Sequence, residues 1–233
     1  EMCIRDRCDA GLSRVPCPVC RVELDEMEVA VLSDEFALRL ALMLLDSSPY
    51  HDCTIDEEIV TKQVLRLLAV PGVDINARGF TREGGEDSAT LLTQASMNGF
   101  IEMVNHLLSA GAEVDRPRLG GQTALALAVT FSNNLDQEDE IVRILLNADA
   151  DLTWRDLHDD STLLMSALLG GNPEILQILL NTKRVPLDAT DHHGDTVLML
   201  ASEPHRDCEG LDPDVDIVTL LLDAGADVTL KDK

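Results

Sequence analysis

The stretch TLLTQASMNGFIEMVNHLLSAGAEVD, residues 90–115, limits what this chain can fold into more than any other part of the sequence. Thr90 is suited to the N-cap of a short helix, because its hydroxyl can accept a hydrogen bond from a free backbone N–H of the first turn. After Gly99, apolar residues follow at the spacing of one helical face: Ile101, Val104, Leu107 and Leu108. Gly111 then stands where a residue in the left-handed conformation commonly ends a helix. We therefore predict a pair of helices with one buried side, too small to be stable alone.

The same pattern occurs three more times along the chain. Segments similar to TLLTQAS begin at Thr123, Thr162 and Thr196, and the four threonines are successively 33, 39 and 34 residues apart. The second apolar segments are also alike, as in IVRILLN, ILQILLN and IVTLLLD. Repeated half-buried helix pairs predict a stack in which each pair covers the open side of its neighbour.

A period of about 33 residues, built from a turn and two helices, resembles the ankyrin repeat. The segments AGAEVD and AGADVT, each just after a Leu-Leu pair, make this resemblance specific, and it covers roughly residues 35–233. The resemblance implies an all-α fold, an ankyrin-repeat solenoid with β-hairpin-like connecting loops. Other residues replace the proline and the histidine of the family's T-P-L-H opening in all four copies, which predicts softer repeats. We expect five repeats, at 35–78, 79–117, 118–155, 156–190 and 191–233.

The charge of the chain excludes several kinds of partner. Its net charge is −25 at pH 7, with 43 acidic and 18 basic residues. Binding of nucleic acid requires Lys and Arg contacts to phosphate, and anionic membrane surfaces also attract basic segments. We therefore predict neither nucleic acid nor a membrane as a partner. Because the sequence shows no apolar run of about 18 residues and no secretory leader, we expect an intracellular protein, cytoplasmic or nuclear.

The residues before the repeats carry a cysteine motif. Cys17 and Cys20 form a C-x-x-C, a spacing that lets two thiolates hold one tetrahedral Zn²⁺. Together with Cys8 they resemble the C-terminal part of a RING finger at residues 8–21. This resemblance implies that Cys8, Cys17 and Cys20 are zinc ligands in an intact RING of a longer parent protein. Because a RING needs more ligands than these, we expect no structural zinc in this chain, and a lone CPVC turn is the alternative.

Two further segments precede the repeats. Residues 1–7, EMCIRDR, do not match the rest of the chain, and they resemble a translated sequencing-adapter artefact. Residues 22–34 are acidic and weakly helical, which predicts a linker.

Two groups within the repeats have two interpretations each. His192, His193, Gly194 and Asp195 look like catalytic residues, but they fall at a hairpin tip, where Gly194 suits the turn. The sequence offers no nucleophile beside them and an open repeat stack has no enclosing pocket, so we predict a turn and no catalytic site. An exposed histidine pair can still make partner binding sensitive to pH. Trp154, the only tryptophan, is either a partner contact or a packing residue.

The family resemblance implies protein binding through the hairpin tips and the inward face of the first helices. Carried over to this sequence, it gives these partner-binding residues: Glu86, Asp87, Met97, Asn98, Gln122, Phe131, Trp154, His158, Asp159, His192, His193 and Asp195. Several of these residues are acidic, so we expect a partner with a basic segment. Met97 and Phe131 are the expected apolar anchor.

Two functions are compatible with these patterns. The first is a protein-interaction scaffold that recruits the substrate or partner of a RING-type ubiquitin ligase, whose full RING would bind an E2 enzyme. The second is an ankyrin-repeat adaptor or regulator without ligase activity. In both cases we expect no cofactor in this chain, and zinc only in the intact parent if the RING interpretation is right.

Overall fold

The computed structural model describes residues 41–42, 57–80, 88–131, 138–202 and 215–230. Its elements in chain order are α1 Glu57–Leu68, β1 Gly79–Phe80, β2 Ser88–Ala89, α2 Leu91–Met97, α3 Ile101–Ser109, α4 Ala124–Thr130, α5 Glu138–Asn147, α6 Leu163–Leu169, α7 Pro173–Asn181, α8 Val197–Ser202 and α9 Val215–Asp223. Ala41 and Leu42 are also helical and fully buried. None of the helices in these ranges combines the length and the apolar character that crossing a membrane requires.

Threonines begin the first helix of each pair. Thr90, Thr123 and Thr162 have extended backbones, and each side chain accepts a hydrogen bond from the third residue of the helix after it. Thr196 does the same for α8, where it accepts from the backbone N–H of Met199 at 3.3 Å. The predicted N-cap at Thr90 is therefore confirmed, and the same cap recurs at Thr123, Thr162 and Thr196.

The second helices end in residues with a left-handed backbone. Gly111 has φ +90° and Gly225 has φ +97°, and the prediction for Gly111 is confirmed. At the corresponding ends of α5 and α7, Asp149 has φ +61° and Lys183 has φ +54°. Because a Cβ makes this conformation unfavourable, these two ends are strained relative to their glycine counterparts.

The first of two compact units is Glu1–Ala112. Within its described residues, α3 packs against both α1 and α2. The strands β1 and β2 pair antiparallel, with Gly79 opposite Ala89, and form a short hairpin ahead of α2. Its fully buried side chains include Leu42, Leu67, Leu91, Met103 and Leu107.

The second unit is Glu113–Lys233, and the helices in its described residues form three pairs: α4 with α5, α6 with α7, and α8 with α9. The first helices also pack on one another in the order α4, α6, α8, and the second helices do so in the order α5, α7, α9. This arrangement lets aliphatic side chains of successive pairs share one continuous core. Its most buried members include Leu125, Leu127, Ile141, Leu145 and Leu163.

Helix pairs joined by hairpin-like loops confirm the predicted all-α repeat architecture. Isolated antiparallel bridges join Arg155 to Thr162 and Thr190 to Thr196, which gives the loops before α6 and α8 their hairpin character. The individual repeat boundaries remain a prediction.

Candidate functional site

Three loops of the second unit end in short turns, residues 118–122, 156–161 and 191–195, which we call tips 3, 4 and 5 and together the tip surface. A backbone hydrogen bond joins the first and last residue of each turn: Arg118 N to Gln122 O at 3.0 Å, Asp156 N to Ser161 O at 2.9 Å, and Asp191 N to Asp195 O at 3.0 Å. The carbonyl oxygen of each first residue also accepts from the N–H of the left-handed residue, at 2.9, 3.1 and 3.1 Å. Each turn lies directly before the capping threonine of the next first helix, so the helix fixes where the tip stands.

One residue of each tip has a left-handed backbone, two positions before the capping threonine. Gly121 has φ +80°, Asp160 has φ +60° and Gly194 has φ +96°. Glycine adopts this conformation without a penalty, and aspartate is among the few other residues that tolerate it. The turn interpretation of Gly194 is therefore supported.

Aspartate side chains at the first position of tips 4 and 5 stabilise the turns by accepting hydrogen bonds from backbone N–H groups of the same turn. Asp156 Oδ1 accepts from the backbone N–H of His158 at 2.8 Å. Asp191 Oδ1 accepts from the N–H groups of His193, Gly194 and Asp195, at 2.8, 3.0 and 3.0 Å. These acids thus have a structural role in addition to their charge.

Tips 3 and 4 are in direct contact. The indole N–H of Trp154 donates to the carbonyl oxygen of Gly121 at 2.9 Å. Leu157 lies on the same glycine, and a Cβ added to Gly121 would stand 2.6 Å from Leu157 Cδ1. Trp154 is half-buried, and its observed contact is of the packing kind; its role in partner binding remains a prediction.

Tips 4 and 5 are joined by Arg155 and His192. The guanidinium of Arg155 donates to the carbonyl oxygens of Thr190 at 2.8 Å and Asp160 at 3.0 Å, and it pairs with the Asp160 carboxylate at 2.8 Å. The backbone N–H of His192 donates to Asp159 O at 3.0 Å, and its ring Nδ1 lies 2.8 Å from the same oxygen. Tip 4 is therefore hydrogen-bonded to tip 5, and it meets tip 3 through Leu157 and the hydrogen bond of Trp154, which lies just ahead of it.

The neighbours of Asp159 on tip 4 lower the pKa of its carboxyl group. The backbone N–H of Ser161 donates to its Oδ1 at 3.0 Å and holds the pKa of Asp159 below its ordinary value, against an opposing effect of burial. The Ser161 hydroxyl and the charge of His192 lower this pKa further. Beside it, the rings of His192 and His193 are exposed, with centroids 3.7 Å apart.

The sequence-predicted partner residues have different positions in the structure. Phe131, His158, His192 and His193 are exposed, and the half-buried ones are Met97, Asn98, Gln122, Trp154, Asp159 and Asp195. Tips 4 and 5 bring Asp159, His192 and His193 together, whereas Met97 and Asn98 belong to the first unit. Glu86 and Asp87 lie outside the described residues. The anchor of Met97 with Phe131 therefore remains a prediction.

Three exposed leucines of the second unit have different standing in the sequence. Leu119 and Leu169 stand at tip and first-helix positions that the family resemblance implies for partner binding, whereas Leu157 was not singled out from the sequence. Leu119 on tip 3 is 53% exposed, Leu157 on tip 4 is 72% exposed, and Leu169 at the end of α6 is 63% exposed. Their signal in the sequence is an aliphatic residue at a tip or helix-end position, where solvent favours polar side chains. Arg155 was also missed, because its main partners are backbone carbonyls that no residue pattern reveals.

Metal binding and catalysis find no support in the described residues. These contain no cluster of three or more His, Cys, Asp or Glu that could hold a metal ion. Cys8, Cys17 and Cys20 fall outside the ranges that the structure describes. A groove of about 580 Å³ lies between α7 and α9, and its lining combines aliphatic side chains with the polar residues Gln177, Asn181, Lys183 and Asp223. It contains no nucleophile with a neighbouring base.

Comparisons with known proteins agree with this architecture. A family model of ankyrin repeats in three copies matches residues 58–156 and again residues 136–232, which together make up more than half of the chain. A similar fold occurs in the structure of the predatory endopeptidase Bd0816 from Bdellovibrio bacteriovorus in complex with the immunity protein Bd3460. The TM-score is 0.62 at 24% identity, over 84% of this chain and 85% of that chain. At this identity the likeness shows the fold alone.

Proposed function

The chain belongs to the ankyrin-repeat family, and we propose that it is a protein-interaction scaffold whose partner docks on the tip surface of the second unit. The observation that carries this proposal is the pair of solvent-exposed leucines, Leu119 and Leu157, on tips that hydrogen bonds hold in place. Removing aliphatic side chains from water lowers the free energy, so covering these leucines would favour the binding of a partner. Because the tips are already ordered, binding costs little loop entropy.

The charges of the tip surface favour a partner with a basic segment. Its aspartates are Asp156, Asp159, Asp160, Asp191 and Asp195. Its cations are fewer and already engaged: Arg118 donates to Gln122 Oε1 at 2.6 Å, and the flanking Arg155 pairs with Asp160. Complementary charge speeds association and selects among partners. We therefore infer that the bound segment carries Lys or Arg beside aliphatic residues.

A selection from a peptide library displayed on phage tests this proposal with the whole chain as bait. We expect enrichment of peptides that combine aliphatic and basic residues. The binding of a selected synthetic peptide, followed by fluorescence anisotropy, should weaken about tenfold for Leu157→Ala, the loss expected for an aliphatic anchor. Leu222→Ala, at an exposed leucine on α9, is the matched control. Two results would contradict the proposal: enrichment of acidic peptides, or peptide binding that Leu222→Ala weakens and Leu157→Ala leaves unchanged.

A second candidate function is the recruitment of substrate to a RING-type ubiquitin ligase. The observation that favours it is the CPVCR motif at residues 17–21, which precedes the repeats and resembles the end of a RING. The alternative is an ankyrin adaptor in which this motif is an isolated turn. Further zinc-ligand motifs encoded ahead of Cys8, together with E2-dependent ubiquitin transfer by the parent protein, would support the ligase. Their absence would support the adaptor.

A further inference from the structure

One hydrogen bond at tip 5 determines which nitrogen of a surface histidine carries its proton. His192 Nδ1 lies 2.8 Å from the carbonyl oxygen of Asp159, and the backbone N–H of His192 donates to the same oxygen at 3.0 Å. A carbonyl oxygen has no proton to give, so Nδ1 must be the donor. Two hydrogen bonds from one residue to one oxygen also fix the orientation of the ring.

This geometry leaves the other ring nitrogen with a lone pair. A neutral imidazole has a single N–H, so Nδ1–H implies that Nε2 is an acceptor. The ring is exposed at the tip, where a bound segment can reach it. Among the described residues, none fixes the tautomer of the neighbouring His193 through a ring hydrogen bond, so the two adjacent histidines differ in chemistry.

We propose that His192 is a specificity-determining residue of the tip surface, which recognises an N–H or O–H donor of the bound segment through Nε2. The proposal rests on the protein-binding function proposed above and makes its chemistry more specific. A Lys or Arg side chain is the donor that also suits the surrounding charge. An acidic segment would meet a lone pair on Nε2 and the carboxylates beside it.

The same geometry predicts how this recognition depends on pH. Asp159 on tip 4 and His193 on tip 5 lie next to His192. The other titratable or charged residues of the two tips are Asp156, His158, Asp160, Asp191 and Asp195, with Arg155 just ahead of tip 4. Protonation of the imidazole puts a proton on Nε2 and leaves the Nδ1–H bond to Asp159 O in place. The acceptor is then lost while the tip keeps its structure. Binding of a basic segment should therefore be weaker in acid, where the imidazole carries a proton on both nitrogens, than at a pH where it is neutral.

The first experiment needs no partner. Two-bond ¹H–¹⁵N correlation spectra of the ¹⁵N-labelled chain at neutral pH distinguish the two tautomers of each histidine. We expect His192 to be in the Nδ1–H form, and its signals can be assigned by their absence from His192→Asn. An Nε2–H form, or an average of the two forms at His192, would overturn the inference and leave the proposed function untouched.

The second experiment uses the peptide selected on the chain and matched substitutions. His192→Asn can place an N–H near the Nδ1 position and has no equivalent of Nε2, whereas His193→Asn is the control at the adjacent ring. We expect His192→Asn to weaken peptide binding about tenfold, as for the loss of one hydrogen bond to a charged donor, and His193→Asn to have little effect.

The outcomes separate the two proposals. A peptide that binds His192→Asn as tightly as the parent chain overturns the role of His192 alone. Failure of any peptide to bind the parent chain overturns both the proposed function and the partner contact, although the tautomer is still decided by the spectra. A control His193→Asn that weakens binding as much as His192→Asn would also overturn the assignment, because the effect would then not depend on the fixed tautomer.

Discussion

The indole N–H of Trp154, two residues ahead of tip 4, donates to the carbonyl oxygen of Gly121 on tip 3 at 2.9 Å. Leu157, three residues later, lies on the α-carbon of the same glycine. Two features require glycine at position 121: a left-handed backbone, and the Leu157 side chain, which leaves no room for a Cβ. The carbonyl of Gly121 also accepts the hydrogen bond from Trp154. The order of the tip surface depends on contacts between repeats as well as on each turn.

Trp154→Phe tests the energetic weight of this bond. The substitution keeps an aromatic ring and removes the indole N–H, so the Gly121 carbonyl loses this hydrogen-bond donor. We expect the chain to lose about 1 kcal/mol of unfolding free energy in urea, the usual net value of one hydrogen bond. Leu157→Ala on tip 4 is a comparison that removes a contact with the same glycine and keeps the indole. Equal stability of Trp154→Phe and the parent would show that water replaces the donor without cost.

Lys183 offers a site where a glycine should stabilise the chain. Its φ of +54° destabilises the folded state by roughly 1–2 kcal/mol, because lysine has a Cβ, and glycine would remove this strain. Glycine also makes the unfolded chain more flexible, which cancels about 0.4–1 kcal/mol of that stabilisation. Lys183→Gly should therefore raise the unfolding free energy by roughly 0.5–1 kcal/mol. Lys183→Ala is the control, since it removes the same charge and keeps the Cβ. Equal stability of the two variants would contradict the strain argument.

The last helix of the second unit should open more easily than its predecessor. Leu222 on α9 is 43% exposed, whereas Leu180, its counterpart on α7, is 7% exposed because the next pair covers it. With less buried apolar area to lose, α9 should exchange its amide hydrogens faster than α7. Exchange measured by mass spectrometry on both helices in one molecule provides its own control. Equal protection would mean that the exposed leucine does not limit stability.

The helix starts and ends that depend only on residues close in sequence could be predicted. A threonine ahead of an apolar segment is enough to begin a helix, and Gly111 is enough to end one, because both effects act within a single turn. Asp149 and Lys183 show the limit of this reasoning, since aspartate only tolerates a left-handed backbone and lysine gives no indication of one. The left-handed positions at Asp149 and Lys183 become visible only when the ends of α5 and α7 are aligned with those of α3 and α9, where Gly111 and Gly225 stand.

The candidate site was only partly predictable, because its contacts link residues from different repeats. The separation of Trp154 from Gly121, or of His192 from Asp159, depends on how helix pairs stack, and no local pattern encodes that distance. The sequence therefore left Trp154 with two roles, and it held no hint of which nitrogen of His192 carries the proton. Residue type pointed to the acidic character of the tips correctly, although Asp156 and Asp191 are also turn-forming residues.

Asp159 should make the chain less stable in acid. Its pKa is lowered in the folded state, chiefly by the Ser161 backbone N–H, so its charge stabilises the fold above the usual value of 3.8. This contribution is lost as the pH falls through the lowered pKa. The parent chain should therefore exceed Asp159→Asn in unfolding free energy at neutral pH, by less than about 1 kcal/mol at this water-facing site. Urea titrations at several pH values should show the difference vanishing below 3.8.

Glu174→Gln, which removes one charge from an exposed position on α7, is the control for this pH series. A difference between the parent and Asp159→Asn that stays constant from neutral pH to below 3.8 would contradict the assignment. It would mean that the carboxylate stabilises the tip by its shape and hydrogen bond, without any contribution from its charge.

The acids of the tip surface should set the rate at which a basic partner arrives. Asp159→Lys combined with Asp195→Lys reverses two charges on tips 4 and 5. Glu140→Lys combined with Glu174→Lys makes the same change in net charge at exposed positions on the second helices. Because steering depends on where the charge lies, only the tip pair should slow association with the selected peptide, by about tenfold at low ionic strength.

Stopped-flow measurements over a range of salt concentrations check this expectation, after circular dichroism has shown that both double variants are folded. The difference between them should shrink as salt increases, since exposed charges are screened over about 10 Å at 0.1 M. If both pairs slow association equally, net charge alone is responsible and the tip surface has no special part in steering. If neither pair changes the rate, the carboxylates serve solubility and turn formation, and the basic segment of the partner is not recognised by charge.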